Sequence, residues 1–311
     1  MEQRQLGRSG LKVSLVGLGC NNFGGRTDAE TSKTVIRRAL DLGITLFDTA
    51  DVYGNKGGSE TILGDYLGAE RHSIVLATKF GFEMSEVQRG ASRRSIMNAV
   101  HASLKRLKTD YIDLYQLHTP DADTPIEETL RALNDLVRSG MVRYIGCSNL
   151  KAWQVVDAQW TARDLGLEGF VSCQDEYSLL VRDAERELIP AMTAHGLGLL
   201  PYFPLASGLL SGKYKQGAPL PEGTRLSKSQ GLAETYLTPK NWQIVSELEA
   251  FCAVRGRTLL ELAFSWLAVN PVTSSVIAGA TKPEQLEQNV AAVNWKLTPS
   301  DLEEIGRITS K

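Results

Sequence analysis

Eight short apolar runs, each followed by a longer stretch with helical spacing, constrain this chain more than any other feature. The runs lie at residues 13–17, 45–48, 74–78, 112–117, 142–146, 170–173, 197–200 and 274–277. Such alternation marks repeated βα units. Residues 29–42 place Val35, Ala39 and Leu42 at helical spacing and stop at Gly43. Residues 95–107 and 126–139 behave alike, the second stopping at Gly140. Glycine just past the last turn ends helices because it accepts a left-handed backbone.

Two architectures alternate in this way, the doubly wound sheet and the (β/α)8 TIM barrel. The count of eight favours the barrel. So does the position of the chemically capable residues: Asp48, Lys79, His118, Ser148, Asn149 and Gln174 all follow strand ends. A barrel gathers those ends around one mouth, whereas an open sheet spreads them along an edge. The expectation is an α/β protein, a (β/α)8 TIM barrel forming a single domain over residues 1–311. A short N-terminal hairpin over residues 3–12, turning at Gly7 and Gly10, would plug its bottom. A long loop after strand seven, residues 213–240, carries Gly217, Pro219, Pro221 and Gly223. Loops of that length are usually lids or disordered.

Composition narrows the function. Hydrophobic residues make up 42%, enough for a filled core, and the formal net charge is −2. That balance gives no long-range attraction to nucleic acid or an anionic membrane. No run of about 18 apolar residues appears, and the opening MEQRQLGRSGLKVS lacks an apolar signal core. A cytoplasmic protein is expected, with neither nucleic-acid nor membrane partners. Cys20, Cys147, Cys173 and Cys252 are scattered without a CxxC pair. They read as small buried apolar residues, so neither a metal site nor a disulfide framework is expected.

Hydride reduction of a carbonyl needs a bound nicotinamide, a proton donor and polar groups to stabilise developing charge. A tyrosine can donate the proton if a nearby ammonium lowers its pKa from about 10. A buried carboxylate can hold that ammonium in place. Asp48 and Tyr53 lie in FDTADVYG, Lys79 in LATKFG and His118 in LYQLHTPD, at three successive strand ends. Singly, each has an ordinary structural explanation: a helix cap, a loop aromatic, a surface lysine, a core histidine. Their shared placement is what points to chemistry.

At these residues the sequence resembles the aldo-keto reductases, over nearly the whole chain. The matching stretches are GITLFDTADVYG, GSETILGDYLG, VLATKFG, IDLYQLHTPD, IGCSN, PYFPLASGLLSGKY and IAGATKPEQLEQN. The last two, with the long loop, resemble the branch of potassium-channel β subunits and bacterial aldo-keto reductases. The resemblance implies that Tyr53 is the general acid, Lys79 lowers its pKa, Asp48 pairs with Lys79 and His118 orients the carbonyl. It implies that Ser148, Asn149 and Gln174 hold the nicotinamide carboxamide and that Tyr202 stacks on the ring. Phe203, Pro204, Leu205, Ala206 and Gly208 would cradle the pyrophosphate, with Lys213 and Arg225 closing over it. Gly279, Thr281 and Lys282 would lie near the adenosine 2′-phosphate, and Gln285 and Asn289 near the adenine.

The cofactor expected is NADP(H), with NAD(H) left open. The aldose-reductase pattern has a Lys and an Arg where this chain has Gly279 and Gln285, and Gln288 stands where glutamate is usual. Lys282 and the helix start at Pro283 supply other means of holding a phosphate. GLGCNNFGG is not the GxGxxG dinucleotide fingerprint, so Gly19, Cys20 and Asn21 are expected to line the mouth instead. The partner expected is a small carbonyl substrate, lined by Phe23, Tyr53 and Phe82, and a homo-oligomer is compatible with the sequence. Two competing functions remain. One is a nucleotide-sensing subunit of another protein, and the other is a Schiff-base barrel enzyme with Lys79 as nucleophile.

Overall fold

The computed structural model describes residues 1–310. A hairpin opens it, with β1 (Gln3–Gln5) antiparallel to β2 (Lys12–Ser14). Eight parallel strands follow: β3 (Val16–Gly19), β4 (Leu46–Asp48), β5 (Val75–Phe80), β6 (Ile112–Leu117), β7 (Val142–Ser148), β8 (Ser172–Gln174), β9 (Gly198–Leu199) and β10 (Val276–Gly279). They pair in chain order, and β10 returns to β3. Between β9 and β10 the ring closes through single contacts, with Leu199 N–H donating to Val272 O at 2.8 Å and Ser274 N–H to Leu199 O at 2.9 Å. This is the (β/α)8 barrel.

Helices wrap the outside: α1 (Ala29–Asp41), α2 (Tyr53–Tyr66), α3 (Arg93–Leu107), α4 (Ile126–Arg138), α5 (Ala152–Asp164) and α6 (Leu188–His195). After β9 come α7 (Arg225–Lys228), α8 (Gln230–Tyr236), α9 (Pro239–Ala253) and α10 (Leu259–Val269). Then α11 (Pro283–Ala292) and α12 (Pro299–Thr309) complete the chain's helices. In α1, Asp28 caps the start by accepting from Thr31 N–H, and Val35, Ile36 and Ala39 face the core.

Strand alternation divides the core in two. One cluster sits inside the barrel: Leu6, Val13, Leu46, Val75, Ala77, Leu114, Leu200 and Ile277. The other lies between strands and helices and includes Phe47, Leu76 and Tyr115. Leu6 and Val13 come from the hairpin, so it does plug the bottom. Gly7 is required there: its φ is +60°, and a Cβ would lie 2.5 Å from Gly196 O.

Several boundaries shift from the sequence expectation. Val13 belongs to the hairpin strand β2, and the first barrel strand begins at Val16. The apolar character of 13–17 merged two strands, because both bury residues in one continuous core. The sixth and eighth barrel strands lie further along than the apolar runs, since pairing continues into the polar mouth residues Gln174 and Gly279. The excursion over 213–240 contains two short helices and is pinned. Leu226 is buried, its N–H donates to Tyr214 Oη at 3.4 Å, and Tyr236 Oη donates to Glu176. No helix among the described residues is long and apolar enough to cross a membrane.

Candidate active site

Because side chains alternate along a strand, inward positions can be counted upward from the interior layer. Leu46 leads to Asp48, Ala77 to Lys79, and Leu114 to Gln116 and then His118. Each step of two carries the lining from apolar filling to polar mouth. The same count turns Cys147 and Cys173 outward, into the helix-facing core, and leaves Ser148 and Gln174 facing in.

Asp48 is the hub. Its Oδ2 accepts from Lys79 Nζ at 2.7 Å. Its Oδ1 accepts from Gln174 Nε2 at 2.8 Å and Gln116 Nε2 at 3.2 Å. Lys79 is fully buried and also donates to Thr49 O at 2.8 Å. Burial pulls its pKa down, but Asp48 and Tyr53 outweigh that, and the net direction is upward. Lys79 is therefore a charged ammonium throughout the physiological range.

The Lys79 ammonium lies 5.0 Å from the centroid of the Tyr53 ring. Burial raises the Tyr53 pKa, Lys79 lowers it, and the net shift is upward. The sequence expectation that the lysine would lower this pKa holds for that one interaction but not for the sum. Tyr53 is thus a phenol that holds its proton at neutral pH. His118 sits edge-on to it, with ring centroids 5.6 Å apart, and Phe82 packs 4.4 Å from the other side of the imidazole. Burial and then Lys79 push the His118 pKa down to about 2. The ring is neutral, and its Nδ1 is buried without a partner.

The segment carrying Tyr53 is unusual. Gly54, Asn55 and Lys56 all have φ between 60° and 67°. Two of these are not glycine, so the backbone is strained there. Gly54 has no alternative: a Cβ would meet Phe23 O at 2.4 Å. Asn55 Nδ2 offsets part of the strain by donating to Gly24 O at 3.2 Å.

These groups open into a cavity of about 960 Å³, at the upper end of the ~300–1,000 Å³ common for small-molecule and cofactor sites. Its wall includes Gly19, Asn21, Asp48, Tyr53, His118, Ser148, Asn149, Gln174 and Tyr202. It continues along Phe203, Pro204, Leu205, Gly208, Lys213 and Arg225 to Gly279, Thr281, Lys282, Gln285 and Asn289. Three of the expected residues are placed elsewhere. Cys20 continues the alternation outward from Gly19, is buried in the outer core, and its Sγ donates to Leu18 O. Ala206 is buried too, and its N–H is committed to Phe203 O at 2.8 Å. Phe23 is likewise buried in the outer core.

Several wall residues were not anticipated in the sequence, among them Arg26, Glu222 and Asn22. Arg26 and Glu222 lie at the rim on loops without a readable period. Asn22 anchors the loop after β3 by donating to Ala280 O at 3.3 Å. Gln116, behind the wall, was legible as the inward residue between Leu114 and His118.

The end of the cavity beside Tyr53 and His118 carries an amide-and-hydroxyl relay. Tyr202 Oη donates to Asn149 Oδ1 at 2.8 Å, Asn149 Nδ2 donates to His118 O at 2.9 Å, and Ser148 Oγ donates to Gln174 O at 2.8 Å. These residues, with Gln174, give this end of the cavity an amide-and-hydroxyl lining of the kind a dinucleotide's carboxamide can pair with. A Cβ on Gly208 would stand 2.8 Å from Lys213 Nζ, and one on Gly279 would stand 2.9 Å from Asn21 Oδ1. Glycine at both positions lets the Lys213 and Asn21 side chains lie against the wall, and the φ of +99° at Gly208 is one that other residues rarely adopt.

A barrel with a buried ammonium–carboxylate pair, a tyrosine and a neutral histidine at the mouth of such a cavity has the layout of an oxidoreductase site. The chain belongs to the aldo/keto reductase family, whose model matches residues 15–310. It is 40% identical to a probable voltage-gated potassium channel subunit beta of Arabidopsis thaliana, covering 99% of this chain and 96% of that one. It is also 40% identical to the uncharacterized oxidoreductase YrpG of Bacillus subtilis, covering 96% and 92%. A putative voltage-gated potassium channel subunit beta of Schizosaccharomyces pombe is 39% identical, covering 98% and 92%.

Proposed function

We propose that this protein is a cytoplasmic, single-domain NADP(H)-dependent reductase that converts aldehydes or ketones to alcohols. The observation that carries this reading is the convergence of Asp48, Lys79, Tyr53 and His118 at one end of a dinucleotide-sized cavity. Ser148, Asn149 and Tyr202 would hold a reduced nicotinamide, which when bound would supply the hydride. Tyr53 holds the matching proton and donates it to the carbonyl oxygen. Lys79 stabilises the phenolate left behind, and Asp48 keeps the ammonium in place. His118, being neutral, gives the same oxygen a hydrogen bond without competing as an acid. Lys213, Arg225, Lys282 and the start of α11 offer positive charge to the phosphates.

The test is direct: NADPH binding followed by fluorescence, then absorbance loss with a panel of aldehydes and ketones. The channel-subunit names of two relatives support a second reading, in which bound nucleotide state is sensed on behalf of a partner. Tight cofactor binding with negligible turnover on every carbonyl would favour it.

A further inference from the structure

Tyr53 sits at the start of a turn that few side chains favour. Gly54, Asn55, Lys56 and Gly57 have φ of 66°, 60°, 67° and 112°, and regular helix resumes only after them. A run of four left-handed residues does not hold itself, because each step other than glycine is disfavoured. The place of the phenol therefore depends on what fastens the far end of the turn.

Arg106, from the last turn of α3, fastens it. A Cβ on Gly57 would lie 2.7 Å from Arg106 Cδ, so the arginine stem crosses the end of the turn. Arg106 Nε donates to Glu60 Oε2 at 2.7 Å, and Glu60 is fully buried. The other oxygen, Glu60 Oε1, accepts from Thr78 Oγ1 at 2.6 Å. Thr78 precedes Lys79 on β5, so one carboxylate joins α2, α3 and the strand that carries the ammonium. Arg106 is itself fixed. Its Nη2 donates to Ser103 Oγ at 3.3 Å, and α2 approaches so closely that a Cβ on Gly64 would stand 2.2 Å from Arg106 O. A buried ion pair adds little net stability, and its best-attested use is to fix one arrangement of the elements that carry it. Here those elements carry Tyr53 and Lys79, whose ring centroid and ammonium lie 5.0 Å apart.

We propose that Glu60 and Arg106 are positioning residues for proton transfer: their pair ties the left-handed turn after Tyr53 to β5 and so sets the phenol against the Lys79 ammonium. This deepens the reductase reading above and rests on it. Neither residue lines the cavity, so their effect on turnover passes through Tyr53.

The test is a double-mutant cycle between Arg106→Met and Tyr53→Phe, reading kcat and KM for an aldehyde that wild type reduces, and NADPH affinity by fluorescence. Arg106→Met keeps an apolar stem over Gly57 and removes the charge. Combining it with Glu60→Gln also removes the carboxylate left unpaired, and serves where the single variant unfolds. Arg106→Met should lose roughly ten- to hundredfold in kcat, the scale of a misplacement of about 1 Å, with KM and NADPH affinity within about twofold of wild type. Arg106→Lys, which keeps a cation within reach of Glu60, should recover most of that loss. In the Tyr53→Phe background, Arg106→Met should cost less than about twofold more, because the group it positions is already gone. Crystal structures of wild type and Arg106→Met give a readout independent of turnover, and the separation of Tyr53 and Lys79 should change by about 1 Å. Wild-type kcat in Arg106→Met, losses that multiply in the double variant, a matching loss of NADPH affinity or an unmoved Tyr53 overturns the positioning role and leaves the reductase standing. No turnover by wild type on any aldehyde, or turnover untouched by Tyr53→Phe, strikes the reductase reading, and the crystal structures then decide the positioning role alone.

Discussion

Lys79 Nζ lies 2.7 Å from Asp48 Oδ2, and both side chains are buried at the top of neighbouring strands. The ammonium cannot shed its charge to solvent, so the carboxylate is what makes its burial tolerable. Removing one partner of a buried pair typically costs ~3–5 kcal/mol, because the other charge is left uncompensated. Asp48→Asn should therefore lower unfolding free energy by about that amount in urea titrations. Asp48→Asn combined with Lys79→Met should be less destabilised than the single variant, since the orphaned charge is gone. Equal stability of wild type and Asp48→Asn would contradict the pair's structural role.

The His118 imidazole is held neutral, with its pKa near 2 against an ordinary value of 6.5. The folded state therefore refuses a proton that the unfolded chain binds below pH ~6.5. Stability from this residue is lost as pH falls from about 6.5 toward 2, by up to ~1.4 kcal/mol per pH unit. His118→Gln should flatten that acid-side loss in denaturant titrations between pH 7 and 4. The kcat profile of wild type should also show no inflection near pH 6.5.

One buried and one half-buried carboxyl, Asp51 and Asp175, work in the opposite direction. Burial and then the nearby Glu60 raise Asp51 to about 7, and burial raises Asp175 to about 8. Each retains a proton in the fold that the unfolded chain has released above pH ~4. Their contribution is full below that value and is lost as pH rises toward 7 and 8. Asp51→Asn and Asp175→Asn should each reduce the decline in stability between pH 5 and 8, measured by thermal unfolding. An unchanged pH slope in both would show that the carboxyls are ionised in the fold.

All four cysteines are buried, and burial raises Cys20 and Cys252, while Cys173 is raised first by its contact with Cys147, whose sulfur lies 3.5 Å away. Thiolate is the reactive form, so these thiols should be inert. Ellman's reagent at pH 7 should read four thiols only after denaturation, and iodoacetamide should leave native activity unchanged. Rapid modification with loss of activity would mean that the strand ends open to solvent.

How much of this the sequence carries depends on period. Alternation on β4, β5 and β6 points Asp48, Lys79, Gln116 and His118 inward, so the polar mouth was legible, and Gln116 could have been named by the same count. Alternation also turns Cys20, Cys147 and Cys173 outward, a consequence that proximity to strand ends concealed for Cys20. Val13 was misassigned because apolar character does not distinguish a hairpin strand plugging a barrel from the barrel strand beside it. Arg26 and Glu222 sit on loops, where position is set by turns such as the Asn22 carbonyl accepting three N–H groups, and no period encodes that. The excursion's helices α7 and α8, of four and seven residues, are too short to leave a helical pattern.

Tyr53→Phe tests the central assignment most directly, because it removes one oxygen and leaves the ring packed against His118. NADPH affinity by fluorescence titration should stay as in wild type, while kcat/KM for a reduced aldehyde falls by roughly 10²–10⁴, the range for loss of a positioned general acid. Turnover that survives the substitution, or NADPH that fails to bind wild type at all, would contradict a tyrosine-driven reductase.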